Sequence, residues 1–287
     1  VYKRQLYNQM LNDKIREYKK TKKLLKNTPA MYKKECSFLK EVDSLALANV
    51  QLHLEKAYKN FFRDPKVGFP RFKSKHHSKN SYTTNVVNGN ILVEDNRIRL
   101  PKLKWISMKK HREPAENCRL KSVTVSMEPS GKYFASLLYE GYSCENQAAD
   151  GDYSNAKILG IDYAMQGMAV FSEEIEMEEA GFFRKNEKRL AREQRKLSRC
   201  VKGSRNYVRQ KKKVARCHEK IRSQRRDYLH KLSRRITDQY DIVAVEDIDM
   251  KAMSQCLHFG KSIQDNGYGM FRNMLDYKLA WKAVSYT

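Results

Sequence analysis

Two short apolar runs each end in a carboxylate. Ile158-Leu159-Gly160-Ile161 delivers Asp162, and Ile242-Val243-Ala244-Val245 delivers Glu246. Uninterrupted apolar runs of this length read as strands buried in an α/β sheet, and such sheets bind ligands just outside their strand ends. Two acids brought to one sheet end could hold Mg²⁺ against a phosphodiester. In that chemistry two ions about 3.5–4 Å apart stabilise the attacking and leaving oxygens. Mg²⁺ takes hard oxygen ligands and keeps several waters, so few protein acids suffice. Strand alternation points Asp247 away from Glu246, which sets Asp247 and Asp249 aside. Taken singly, an acid at a strand end is a turn or cap residue. The pair gains its meaning from the rest of the chain.

That chain is strongly basic, with 58 Lys and Arg against 33 Asp and Glu in 287 residues, a formal charge of +25. An excess of this size implies a polyanionic partner, nucleic acid first. At 40% hydrophobic residues with only 12 Gly and 6 Pro, the sequence can build cores and is not a disordered basic tail. No apolar run approaches the roughly 18 residues of a membrane span, and no signal segment opens the chain. The expectation is a soluble, cytoplasmic protein. The six cysteines form no C-x-x-C pair, which fits reduced thiols better than a zinc knuckle. Val1 at the start, and an end at Thr287 soon after a helical pattern, fit a fragment.

The elements that position the acids can be read in order. Residues 1–80 read as a helical lobe, with a break at Thr28-Pro29 and a helix capped by Asp43. Its apolar face is seeded by Leu45, Ala48, Leu52 and Phe62 and broadened by Leu47, Val50, Leu54, Ala57, Tyr58 and Phe61. The helices end at Asp64-Pro65, and the connector at 65–85 interleaves Phe69 and Phe72 with Arg71, Lys73 and Lys75, which is chemistry for stacking on bases while neutralising phosphates. The alternative is an extended linker whose two Phe pack into a neighbour. His76-His77 reads as a solvated pair. Residues 81–150 switch to a period of two, with a type I′ turn at Asn88-Gly89 and further turns at Glu94-Asp95-Asn96 and Pro129-Ser130-Gly131. This is a small antiparallel barrel or sandwich.

The second half, 151–287, reads α/β. A basic helix pair spans 183–238 and turns at Gly203-Ser204. Between Phe183 and Arg235 stand 22 Lys and Arg against four Asp and Glu, a net +18. Leu190 and Leu197, and Val214, Ile221 and Tyr228, recur at sevens, so each helix keeps one apolar seam. Uncompensated cations at this density repel, and a phosphate backbone alongside would relieve them. Arg195, Lys196, Arg199, Lys211, Lys212, Lys213, Arg225 and Arg226 are the candidate contacts. A final helix is expected from about Gly269 to Ala280. Gly160-Ile161-Asp162 before an apolar strand also opens actin-like ATPases. Those need a later glycine-rich turn that this sequence lacks.

Several segments together resemble the TnpB/OrfB transposon-encoded proteins. They are Gly160-Ile161-Asp162-Tyr163 through Ala169-Val170-Phe171-Ser172, the runs 188–199 and 220–233, Val245-Glu246-Asp247-Ile248-Asp249-Met250-Lys251, and Gly68-Phe69-Pro70-Arg71-Phe72-Lys73-Ser74-Lys75. The resemblance covers about 35 to 279, with the motifs in the family's order. It implies an α+β multidomain protein: a helical recognition lobe, a wedge-like β-barrel, and a RuvC nuclease domain of ribonuclease H-like fold with a long basic helical insertion. It also implies an RNA-guided DNA endonuclease using Mg²⁺ or Mn²⁺, with guide RNA and target DNA as partners. Asp162 and Glu246 would be the first two catalytic acids and metal ligands. The family's third acid follows a zinc ribbon, and neither is found before Thr287. Zinc is therefore not expected here, and cleavage by this chain alone should be weak or absent. The alternative reading is a non-catalytic remnant that binds guide RNA or transposon DNA. A bland basic coiled-coil scaffold is the third.

Overall fold

The computed structural model describes residues 1–64, 66–75, 79–141, 153–164, 168–175, 181–246 and 266–281. The chain divides into two compact units, Val1–Tyr142 and Ser143–Thr287. Among the described residues the structure is mixed α and β, and no helix is long and apolar enough to cross a membrane.

The first unit opens with α1 (Tyr2–Thr21), the short α2 (Pro29–Tyr32) and α3 (Ser44–Arg63). Lys22 in the left-handed conformation ends α1, and Pro29 starts α2 at a position where its missing N–H is harmless. Leu24, ahead of the expected break at Thr28-Pro29, lies in no helix. Leu6, Tyr7, Met10 and Leu11 of α1 pack against Leu47, Val50, Leu54 and Tyr58 of α3. The face of α3 is therefore rotated from the expected seed: Leu52 and Phe62 are exposed, while the 47-50-54-58 row meets α1. Asp43 caps α3 as expected, accepting from the Leu45 N–H at 3.1 Å.

Two antiparallel sheets complete this unit. One has the order β1 (Asn80–Asn85), β5 (Arg119–Met127), β6 (Tyr133–Glu140). The other runs β2 (Leu92–Glu94), β3 (Arg97–Leu100), β4 (Lys104–Ser107). Ile91, Ile98, Leu100 and Val123 form their shared core. The expected barrel does not close among the described residues. Each sheet stops at three strands, and neither joins the other edge to edge. Asn88 and Gly89 do form a turn with both φ positive, at 48° and 65°, and Asn90 N–H donates to Val87 O at 3.1 Å. It does not make a hairpin. Val86 remains on the ladder to Lys121, while β2 pairs with β3, so the turn passes the chain from one sheet to the other. The turn at Pro129-Ser130-Gly131 does make one, setting Met127 opposite Tyr133.

The second unit holds a three-stranded sheet of order β8 (Ala169–Phe171), β7 (Ile158–Tyr163), β9 (Ile242–Val245). β8 is antiparallel to β7, and β9 is parallel to it. The crossover between β8 and β9 contains α4 (Phe182–Ser198) and the 35-residue α5 (Arg205–Gln239), and α6 (Tyr268–Trp281) follows. Leu159, Ile161 and Val243 on one sheet face pack with Leu229, Leu232 and Ile236 of α5 and Phe271, Leu275 and Leu279 of α6. Buried Lys278 on α6 donates to His230 O and to Ser233 Oγ, each at 2.7 Å, and fastens α6 to α5.

Candidate active site and nucleic-acid interface

Register decides where the two acids meet. Leu159 pairs with Val243, Gly160 with Ala244 and Ile161 with Val245, so Asp162 and Glu246 are the next residues along two parallel neighbours. Neighbouring strands lie about 4.8 Å apart, and the same pleat phase sends both side chains to one face. That face is the one α5 and α6 leave open. Asp162 and Glu246 are exposed, whereas Ile161 and Tyr163 are buried beneath. Val170 of β8 pairs with Asp162, which completes a row across the sheet.

Behind the acids, one pleat step back, stand Gly160 and Ala244, which keep the floor low. Ser172 closes the edge, its Oγ accepting from Gly160 N–H at 2.9 Å. The result is a broad depression of about 460 Å³ lined by Asp162, Glu246, Gly160, Ala244, Val170 and Ser172. Neither carboxylate forms an ion pair among the described residues. Two adjacent like charges without a counter-ion disfavour one another. Their hard oxygen donors fit a divalent cation that completes its shell with water. Among the described residues no group of three or more His, Cys, Asp or Glu is placed to hold a metal ion. Asp247, Asp249 and His76-His77 lie outside the described residues.

The basic insertion is an antiparallel helical hairpin. Ser204 caps α5, its Oγ accepting from Tyr207 N–H at 3.1 Å, and Gly203 turns the chain at φ 86°. Leu190, Val214, Cys217 and Ile221 fill the seam between the helices with Leu197 packed against them, whereas Tyr228, the third of the expected heptad positions on α5, packs against the sheet core. Arg195, Lys196, Arg199, Lys211, Lys212, Lys213 and Arg226 are exposed on the hairpin. Arg225 is not: it is half-buried, and its aliphatic stem lies against Gly267 at the start of α6.

Sequence reasoning missed Arg189, Arg216 and Lys220. These line a cleft between α4 and α5 together with Asn186, Glu193, Lys213 and Cys217. The signal was present, since 186-189-193 and 213-216-220 are single helical stripes bordering the apolar seam. Glu193, the one acid of the cleft, accepts from Gln210 Nε2 at 2.7 Å. That bond, helped by nearby Lys196 and Arg192, holds its carboxyl below the ordinary glutamate range.

In the first unit the connector is fastened to the helices. Asn8 clamps the Lys73 backbone with bonds of 2.8 and 3.0 Å, and Lys73 Nζ sits 4.0 Å from the Tyr7 ring centroid. Phe69 meets Tyr58 and Phe61 edge-on, with centroids 5.6 and 5.4 Å away. Arg71, Phe72 and Lys75 are exposed.

A family model described as "Probable transposase", that of the OrfB proteins, matches residues 142–257, which include both acids and the hairpin. "Putative RNA-guided DNA endonuclease InsQ" of Escherichia coli is 33% identical over 263 residues, covering 86% of this chain and 63% of the relative. The chain belongs to the OrfB (TnpB-like) family. A second relative, "Putative RNA-guided DNA endonuclease" of Streptomyces pristinaespiralis, is 32% identical over 252 residues, or 86% of this chain and 60% of that one. This OrfB protein thus spans about 60% of the length of the curated relatives it matches.

Proposed function

We propose that this OrfB chain is a transposon-associated, RNA-guided DNA endonuclease whose Asp162 and Glu246 hold Mg²⁺ or Mn²⁺ for phosphodiester hydrolysis. The observation that carries the reading is the parallel register that brings these acids side by side on an open sheet face. The sheet of β8, β7 and β9, with its long helical crossover, fits the ribonuclease H-like (RuvC) core that the resemblance implies. A bound Mg²⁺ would supply Lewis-acid polarisation of a phosphoryl oxygen and a hydroxide-like water near neutral pH. The chain's own residues do the rest. Gly160 and Ala244 leave room for a phosphodiester to approach the carboxylates, and the basic hairpin holds a nucleic-acid backbone. Guide RNA and target DNA are the partners, in the cytoplasm, with sequence read by base pairing rather than side chains.

The second reading is a nucleic-acid binder that does not cut. It is favoured by the lack, among the described residues, of a third side chain converging on the two acids. RNA that co-purifies with the chain, followed by a Mg²⁺-dependent cleavage assay on a matched DNA target, separates the two. Cleavage that disappears in Asp162→Ala supports the nuclease. Bound RNA with no cleavage at any Mg²⁺ or Mn²⁺ concentration supports the binder, and neither RNA nor cleavage sinks both.

A further inference from the structure

The cleft between α4 and α5 gathers Arg189, Lys213, Arg216 and Lys220 around about 350 Å³, with Glu193 as its one acid. Helical spacing explains the convergence. Residues 186, 189 and 193 form one row on α4, residues 213, 216 and 220 form another on α5, and the antiparallel hairpin turns the rows toward each other. Glu193 is already satisfied by Gln210 within the hairpin and by Arg192 and Lys196 at 3.6 and 3.9 Å. Its charge also reaches Lys213. Arg189, Arg216 and Lys220 form no ion pair among the described residues. Lys213 and Arg216, and Arg216 and Lys220, are like charges one helical turn apart, an arrangement that weakens a free helix.

We infer that this cleft is a phosphate clamp that seats one backbone phosphate, with its sugar, of a nucleic-acid strand laid across the hairpin. The inference rests on the nucleic-acid reading above and gives it a place. Arg189 and Arg216 line the cleft from different helices, and guanidinium groups can take the oxygens of a phosphodiester in bidentate geometry, which scattered surface lysines do not. The volume suits a sugar-phosphate unit rather than a whole duplex groove. A repeating polyanion also suits the exposed cations that continue along both helices, at Arg195, Lys196 and Arg199 and at Lys211 and Lys212.

The test is equilibrium binding of labelled single-stranded RNA, single-stranded DNA and duplex DNA to the intact chain across a salt series. Arg189→Gln combined with Arg216→Gln and Lys220→Gln removes the clamp, since Gln keeps good helix propensity. The same charge loss at Lys202, Arg205 and Arg209, near the hairpin turn, is the control. The clamp variant should bind at least tenfold more weakly than the control. Its slope of log affinity against log salt should be shallower by about 0.7 to 0.9 for each phosphate that is no longer neutralised. The arm showing the largest loss identifies the strand type. Equal binding by clamp and control variants overturns the clamp while leaving nucleic-acid binding intact. No binding by the unmodified chain overturns both.

Discussion

Asp162 and Glu246 carry a consequence that does not depend on cleavage. Two carboxylates on adjacent parallel strands, with no ion pair among the described residues, should repel one another in the folded state until a cation binds between them. Mg²⁺ at tenfold over its dissociation constant should therefore raise the unfolding temperature by about 3 °C, which thermal melts read directly. Asp162→Asn or Glu246→Gln should abolish that rise and leave the metal-free chain as stable as before or slightly more so. A rise that persists in both variants would place the ion elsewhere. Lys278 makes a second prediction. Desolvation, aided by Arg234, depresses its pKa below the usual 10.5, so the charged form is less favoured in the fold than in the unfolded chain. Between the depressed folded value and 10.5 the unfolded chain holds more protons, and stability rises with pH there. The stability difference between the unmodified chain and Lys278→Met should shift in favour of the former as the pH climbs toward 10.5. Denaturant titrations at a series of alkaline pH values measure it.

At the scale of elements, two fastenings can be broken singly. Asp43 caps α3 and also accepts from Thr84 Oγ1, so one carboxylate ties a helix to β1. Asp43→Ala should cost about 1–2 kcal/mol, as strong N-caps do, measured by urea unfolding. Gly267 has φ 71°, and a Cβ there would lie 3.1 Å from Arg225 Cδ and 3.3 Å from Leu229 Cδ1. Gly267→Ala should cost about 1–2 kcal/mol from the backbone alone, and the crowding adds to it. Much of this level was legible in the sequence. The apolar runs before Asp162 and Glu246 named both strands and the end at which the acids stand, but not the open face, because an uninterrupted apolar run reads as buried on both sides whereas Ile158 and Ala244 are exposed. The heptads named the hairpin seam. The Asn88-Gly89 turn was legible as chemistry, but its destination was not, because a positive-φ turn fits a crossing between sheets as well as a hairpin. The face of α3 was misphased because Leu, Ala and Phe occur all round it, and only packing on α1 selects the row. Arg189, Arg216 and Lys220 stayed hidden because their meeting depends on the relative register of two helices, which the Gly203-Ser204 turn sets.

For the whole molecule, the charge distribution sets the measurable behaviour. A net +18 between Phe183 and Arg235, out of +25 in all, concentrates the field on one hairpin. Binding of nucleic acid should weaken roughly 10²-fold or more between 50 and 200 mM salt, as expected when several backbone phosphates are neutralised. Filter binding across that range checks it, and a flat profile would argue against neutralisation of backbone phosphates by the hairpin.

One feature of α5 constrains how such a chain can vary over generations. The same unbroken helix lines the hairpin seam with Val214 and Ile221 and then covers the sheet with Leu229, Leu232 and Ile236. Each residue inserted between those halves would rotate one against the other by about 100°. Single insertions after Ile221 should therefore be purged, while the hairpin tip can lengthen in steps of seven on both arms together. A library of insertions along 199–228, sorted for folded protein, should show tolerance with that period at the tip and intolerance near the sheet.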